Sequence, residues 1–545
     1  MKKHLMRFSI ALFSSVLLSF SVNAQTGSYA ITNARIVTVS GATISNGAVV
    51  IRDGLIESVG TNAKVPADAR VFDGKGLTVY PGFIDANTSI GVQQAARPTA
   101  GQTGQSQSNS NYPAVLRPER DVMENLKAGD AQFTSQRNNG FTTVLTGYSD
   151  GIFNGRSAVI NLAGESVSAM VVRSPFAQHV TYRTNGGGVF PTSLMGTFAA
   201  LRQMFFDAKR LDQVKRMYAE NPRGIKRPES DPSLEALIPV VNGEMPIVFN
   251  ANTEREIVRT LDLAKEFNLK LIIAGGDEAG TLVDRLKSQN VPVLLSLNFP
   301  KRTLSENKEA EPESLRTLRL RVEVPKTAAK LKQAGVKFAF QSGGLKNIAD
   351  FLTNADETTE NGLSKEDAIR AMTLNAAEIL GVADQLGSIE TGKIANLVVV
   401  KGDVLEKEKT ITHVFIDGKV FEMPKKPEKE KSEPASGGST TGKTAEVNGT
   451  WDLTIEPPGQ TVGAKLELTQ QGSVLAGTLT SPLFGTATIK NGVVSENGFS
   501  FDVTISVGGQ ELEVSFSGTV TGNRVEGTAD SGQGPAVFSG TRNPS

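Results

Sequence analysis

The sequence predicts an α/β protein. Parallel βα units form its central body, as a (β/α) barrel or a doubly wound sheet. A composite β-sandwich is drawn from both flanks of that body, and a separate all-β module follows. Three observations carry this. Strand-like and helical runs alternate from Met245 to Gly381. Short β-branched runs with Asp-Gly turns lie on both sides of them. Beyond a charged Pro/Ser/Gly stretch, apolar and polar residues alternate over short segments.

Residues 1–24 have the pattern of a secretory signal peptide. Lys2, Lys3 and Arg7 precede an apolar stretch from Phe8 to Phe20, and Val22-Asn23-Ala24 is a small-residue cleavage site before Gln25. The expected location is therefore the periplasm or the exterior. Lys+Arg and Asp+Glu both number 57, and removing the leader takes away three basic residues and no acidic one, leaving the mature chain near −3. That balance argues against a polyanionic partner such as nucleic acid. No later stretch reaches the ~18 apolar residues a spanning helix needs, so no membrane anchor is expected. The chain has no Cys and uses no disulfide.

Residues 25–79 supply the first half of the composite sandwich. "YAITNARIVTVSG" and "GAVVIRDGLIESVG" are β-branched, and Asp53-Gly54 is a hairpin turn. Residues 386–422 supply the second half through "GSIETGKIANLVVVKGD" and "THVFIDGKVFE", with its Asp417-Gly418 turn.

Residues 80–385 hold the βα units. "MPIVFN" is a strand. "TEREIVRTLDLAKEFN" is a helix with a Thr253/Glu256 capping box and Ile257, Leu261 and Ala264 on one face. "LKLIIAGG", "VPVLLSL" and "VKFAFQ" are strands. "EAGTLVDRLKSQN" is a helix, and so is "PKTAAKLKQAG", which Gly335 ends. "SKEDAIRAMTLNAAEILG" reads as one helix capped by Ser364 and stopped at Gly381. Polar residues 92–113 and "RTNGGGVF" (183–190) are insertions. Residues 423–448 form a charged disordered linker. Residues 449–545 read as an up-and-down meander of roughly eight strands, a small barrel or sandwich, turning at Asn491-Gly492 and Gly508-Gly509.

"YPGFID" (80–85), "NGFTTVLTGY" (139–148) and "TLNAAEILG" followed by "GSIETGKIANLVVV" occur in an order that resembles the amidohydrolase superfamily, in its imidazolonepropionase-like branch. The resemblance runs from about Tyr29 to Glu422. It implies a (β/α)8 TIM-like barrel and a hydrolase of carbon–nitrogen, non-peptide bonds that uses one or two divalent metals. Such a metal lowers the pKa of bound water toward ~7 for a nearby carboxylate to deprotonate.

Matched to the family's motifs, the first-strand His-x-His falls on Asn87 and Ser89. The fifth-strand His falls on Asn250, the sixth-strand His on Gly275 and the eighth-strand Asp on Gly343. A further family Asp, in the closing sandwich, falls on Asn396. Of three His, His4 lies in the leader and His413 in a sandwich strand, so His179 alone can reach the pocket. Neutral Asn and Ser oxygens are poor zinc ligands and Gly offers none. No cofactor is therefore expected, and zinc only where a site is rebuilt from other residues.

The candidate ligand pocket is Asn87, Ser89, Asn250, Asn252, Glu278, Gln341 and His179. No residue is assigned a catalytic role. "GYSDG" (147–151) places Ser149 in a Gly-x-Ser-x-Gly pattern and reads as a Gly-rich loop. Asp277 and Glu278 read as acidic residues at a helix start, favoured by its dipole. A hard-cation site from Asp277, Glu278 and Asp85 is the rival reading, and Asp85 itself is expected to tie down its loop by hydrogen bonds. Two functions follow: a hydrolase whose usual metal chemistry is impaired, or a pseudoenzyme. The latter would bind a small molecule or support an active homologous amidohydrolase or a second copy of itself. A third places the function in the C-terminal module, in glycan or surface attachment.

Overall fold

A computed structural model describes residues 27–92, 112–184, 190–301, 313–423, 446–456, 462–472, 474–494, 498–507, 510–530 and 535–543. The signal peptide, most of the 92–113 insertion and most of the linker lie outside the described residues. Two units, Met1–Pro427 and Glu428–Ser545, are compact in themselves.

The first unit opens with β1 (Tyr29–Ile36), β2 (Ile44–Arg52), β3 (Leu55–Gly60), β4 (Arg70–Asp73) and β5 (Leu77–Pro81). Asp53 and Gly54 join β2 to β3 with φ of 51° and 83°, the left-handed pair that a tight hairpin needs. The central body then runs β6 (Phe83–Thr88), α1 (Ala131–Asn138), β7 (Phe141–Thr146), β8 (Phe153–Arg156), β9 (Ala158–Asn161), α2 (Val167–Met170), β10 (Val171–Arg173), β11 (Gln178–Thr181), α3 (Leu194–Glu220) and α4 (Pro232–Val241). It continues with β12 (Ile247–Ala251), α5 (Glu254–Phe267), β13 (Leu271–Gly275), α6 (Val283–Ser288), β14 (Val293–Ser296), α7 (Leu315–Glu323), α8 (Thr327–Ala334), β15 (Phe338–Gln341), α9 (Asp350–Glu360), α10 (Lys365–Ala371) and α11 (Leu374–Ile379). β16 (Leu397–Lys401), β17 (Thr410–Ile416) and β18 (Lys419–Glu422) return to the first strands.

The flanks join in one eight-stranded sheet of order β18-β17-β16-β5-β1-β2-β3, with β4 added on β1. β16 lies antiparallel to β5, which seats Asn396 at the edge of the central body. There it donates to Thr143 Oγ1 (3.1 Å) and Asn161 Oδ1 (2.9 Å) and accepts from Asp417 N–H (2.9 Å), while Asn161 donates to Asp417 (2.6 Å). This network pins the β17–β18 turn to β7 and β9.

The central strands form two sheets, β10-β9-β7-β6 and β15-β14-β13-β12-β11-β8. β6 and β7 are parallel, as are β11 through β15. Ile84, Leu145, Val159, Val248, Ile272, Leu294 and Ala339 from both sheets share one buried cluster with Ala376, Ala377 and Leu380. β6 and β15 are tied where Ser342 N–H donates to Asp85 Oδ1 (2.9 Å).

Three expectations are corrected. The regular βα alternation breaks between β7 and β11, where β9 runs antiparallel to β7 and β8 antiparallel to β11. Only residues 147–157 separate β7 from its neighbour β9, too few for a parallel crossover, which takes a dozen or more. The helix read over 364–381 is two, α10 and α11. The chain breaks at Thr373 (φ −133°, ψ −94°), where Ile84 N–H of β6 takes the Met372 carbonyl (2.9 Å). In "EAGTLVDRLKSQN" residues 279–281 form a 3-10 turn, and the helix starts at Val283. The long α3 and α4 extend the helical layer beyond the segments whose pattern was read.

The second unit is a closed antiparallel barrel: β19 (Gly449–Glu456), β20 (Val462–Gln471), β21 (Val474–Ser481), β22 (Gly485–Val494), β23 (Gly498–Val507), β24 (Gln510–Thr521), β25 (Arg524–Asp530) and β26 (Pro535–Arg542). Side chains including Trp451, Leu466, Leu479, Phe501 and Phe516 occupy its interior, so it is a packed core. Asn491-Gly492 is not the turn expected. It is an irregularity inside β22, with Asn491 at φ 51°. Gly508 and Gly509 lie outside the described residues, between β23 and β24.

Candidate functional site

The parallel strands end together, and the residues just past those ends surround a cavity of about 410 Å³. Asn87, Ser89, His179, Asn250, Asn252 and Gln341 line it, and so do Gly275 and Gly343. The alternation of strand side chains explains the spacing: Asn87 and Ser89 at the end of β6, Asn250 and Asn252 at β12, and Ser296 and Asn298 at β14 are all i, i+2 pairs lining one cavity.

Asp85 holds the floor. It is fully buried and accepts from Ser342 N–H (2.9 Å), the Ser342 hydroxyl and Asn87 N–H (3.4 Å). Burial pushes its carboxyl up to about 6, against the opposing pull of those hydrogen bonds. Asn87 Nδ2 donates to Gln341 Oε1 (2.8 Å), and Gln341 Nε2 donates to the Leu294 carbonyl (3.0 Å). Asn250 donates to Thr181 Oγ1 (3.0 Å).

Two of the five positions aligned with metal ligands are glycines, and neighbouring amides occupy the space beside them. A β-carbon on Gly275, whose φ is +92°, would lie 1.9 Å from Asn252 Oδ1. One on Gly343 would lie 2.6 Å from Gln341 Oε1. The next residue repeats the arrangement, since a β-carbon on Gly344 would lie 2.8 Å from Asn298 Nδ2.

His179, on β11, is buried, and its Nε2 lies 2.8 Å from Ser157 Oγ. Ser157 Oγ also lies 3.2 Å from the Ala177 carbonyl, so its one hydroxyl hydrogen has two acceptors in reach and the imidazole tautomer sets which one it takes. Burial lowers the imidazole to about 4, leaving it neutral at physiological pH. Ser149 lies at the cavity wall, but the strand β8 follows it rather than the helix of a nucleophile elbow, and His179 is hydrogen-bonded to Ser157.

Asp277 also lines the cavity, and its Oδ1 is buried without a hydrogen-bond partner. Burial, then Glu278 and Glu256, push it up to about 6. The reading of Asp277 and Glu278 as dipole partners of their own helix is corrected, because only a 3-10 turn follows them. Glu278 faces away from the cavity into a separate groove. There it accepts from Glu254 N–H (2.6 Å) at the start of α5 and meets Arg316 at 3.5 Å. Asp85, Asp277 and Glu278 therefore do not converge on a cation. Tyr148, Ser157, Ser296 and Asn298 were missed by sequence reasoning. The i, i+2 pairing at strand ends could have found Ser296 and Asn298; no sequence signal marks Ser157.

The amidohydrolase family model matches residues 78–421. The chain belongs to the amidohydrolase family. An amidohydrolase from Thermotoga maritima is similar over 72% of this chain and 100% of its own, with 25% identity and a TM-score of 0.61. A prolidase solved with N-methylphosphonate-L-proline covers 73% of this chain and 100% of its own at 18% identity (TM-score 0.44). A Xaa-Pro dipeptidase solved with methionine covers 72% and 100% at 17% identity (TM-score 0.45). No curated protein matches the chain. The relatives imply a TIM-like barrel for the central body.

Amidohydrolases usually hold divalent metals, and the residues of this mouth do not fit one. Neutral amides and a hydroxyl stand at three ligand positions, and Asn252 and Gln341 amides crowd the two glycines. Among the described residues, no three His, Cys, Asp or Glu side chains gather as a metal site would require.

Proposed function

We propose that this is an exported amidohydrolase-family protein that binds a small, uncharged, hydrogen-bonding molecule in its mouth, in place of the family's metal-activated water. Family membership supports a hydrolase-like ancestry for the site. The observation that carries the reading is the pair of amides, Asn252 and Gln341, lying in the space that side chains at 275 and 343 need. Amides offer both donors and acceptors to a neutral ligand and give water no acidifying charge. Export is supported by the leader pattern of residues 1–24. A supporting role beside an active homologue or a second copy is compatible with such a pocket.

One observation favours a second reading. The unpartnered Asp277 oxygen could accept a proton from water attacking a bound carbon–nitrogen group without any metal. The experiment is elemental analysis of purified, dialysed protein, followed by Zn²⁺ and Mn²⁺ titration by calorimetry. Absence of stoichiometric metal and of saturable binding supports the amide pocket. One tightly held metal per chain refutes it. Turnover of a carbon–nitrogen substrate that Asp277→Asn abolishes would establish the second reading instead.

A further inference from the structure

A second chamber, of about 500 Å³, adjoins the amide-lined cavity and shares Thr88, Ser89, Gly343 and Gly344 with it. The shared residues set the two compartments side by side, and their other walls differ in character. Ile90, Val92, Leu345 and Ile348 give the outer chamber an apolar side. Gln136, from α1, stands in the opposing wall. It is only 4% exposed, yet its Oε1 has no hydrogen-bond partner. Buried amide oxygens are nearly always satisfied, so an unpartnered one on a side chain that lines a cavity leaves a place for a donor from outside the chain once the amide turns toward it. Lys346 lines the same chamber and has no ion-pair partner among the described residues.

We propose that the outer chamber is a second ligand subsite, taking an aliphatic segment that carries an O–H or N–H donor beside a carboxylate. The donor goes to Gln136 Oε1, the carboxylate to Lys346, and the aliphatic part to the Ile90 and Leu345 side. The whole ligand is then elongated, with a neutral head in the amide cavity and an anionic end outside it. This assignment rests on the ligand-binding reading only for the inner compartment.

The test uses the full chain and 2-hydroxyhexanoate as probe, by isothermal titration calorimetry, with hexanoate and 2-hydroxyhexanamide for comparison. The acid should bind, and each comparison compound should bind more weakly. Lys346→Gln should weaken the acid about tenfold and Gln136→Leu about fivefold. Lys346 is exposed, so its variant keeps the test valid should Gln136→Leu disturb α1; unfolding curves of both establish that they fold. No binding at millimolar concentration overturns the outer subsite, as does equal affinity for acid and amide that Lys346→Gln does not alter. Neither outcome touches the inner reading. Conversely, a stoichiometric metal ends the inner reading and leaves the hydroxy-acid result to stand by itself.

Discussion

Asp85→Asn should make the central body more stable at neutral pH and flatten its pH dependence. The carboxyl is fully buried and pushed from an ordinary 3.8 up to about 6. The folded state therefore binds a proton more tightly than the unfolded chain. Its contribution to stability is greatest below about 3.8, declines as pH rises through the interval, and is fully lost above about 6. That gap corresponds to about 3 kcal/mol of stability missing at pH 7. An Asn retains an oxygen for Ser342 N–H and has a donor for the Ser342 hydroxyl, so the floor keeps its bonding pattern. Urea unfolding should be followed by far-ultraviolet helical signal, because every described helix lies in the first unit. Fluorescence of the single Trp451 reports the C-terminal barrel instead. The expected result is a wild-type stability that falls from pH 4 to pH 7 relative to the variant by about 2–2.5 kcal/mol. Parallel pH profiles for the two proteins would refute the burial argument.

Four further outcomes follow from the geometry. Gly275→Ala should cost about 1–3 kcal/mol, from a left-handed φ and displacement of Asn252; adding Asn252→Gly should recover the steric share in a urea double-mutant cycle, whereas additive costs would show that the two do not compete for space. Asn396→Ala should cost about 1–3 kcal/mol, since it strands the Asp417 N–H and leaves Asn161 Oδ1 only its bond from Thr143, again read by helical unfolding. His179 should stay neutral down to about pH 4, and ¹⁵N spectra showing an imidazolium at pH 7 would contradict the burial argument. Gly492→Ala, whose β-carbon would lie 2.1 Å from the Leu475 carbonyl oxygen, should destabilise the C-terminal barrel by about 1–3 kcal/mol, visible in Trp451 fluorescence with the helical signal unchanged.

Local chemistry made much of this architecture legible. The Asp53-Gly54 and Asp417-Gly418 turns need left-handed backbone and advertise it, and the Thr253/Glu256 box closes α5 as its spacing demands. What failed depended on distant partners. The kink at Thr373 is set by an amide of β6 nearly three hundred residues earlier, so "AMTLNA" looks helical by itself. The antiparallel setting of β9 on β7 follows from the shortness of the 147–157 connection. In the site, Asn87, Asn250 and Gln341 were readable because strand ends repeat at i, i+2. Glu278 was misread because its partner is the first turn of α5, and Ser157 was invisible because only the fold brings it to His179.

The pairing of β16 with β5 sets an order of events during synthesis. Leu397 to Lys401 must lie beside Pro81 to Leu77, so the first strands wait, one edge unpaired, while the entire central body is translated. Closing so long a loop is slow, and the waiting edge is open to wrong partners. A chain terminated before residue 397 would lack this clasp altogether, and holding chaperones would matter most for nascent chains that have not yet reached that point.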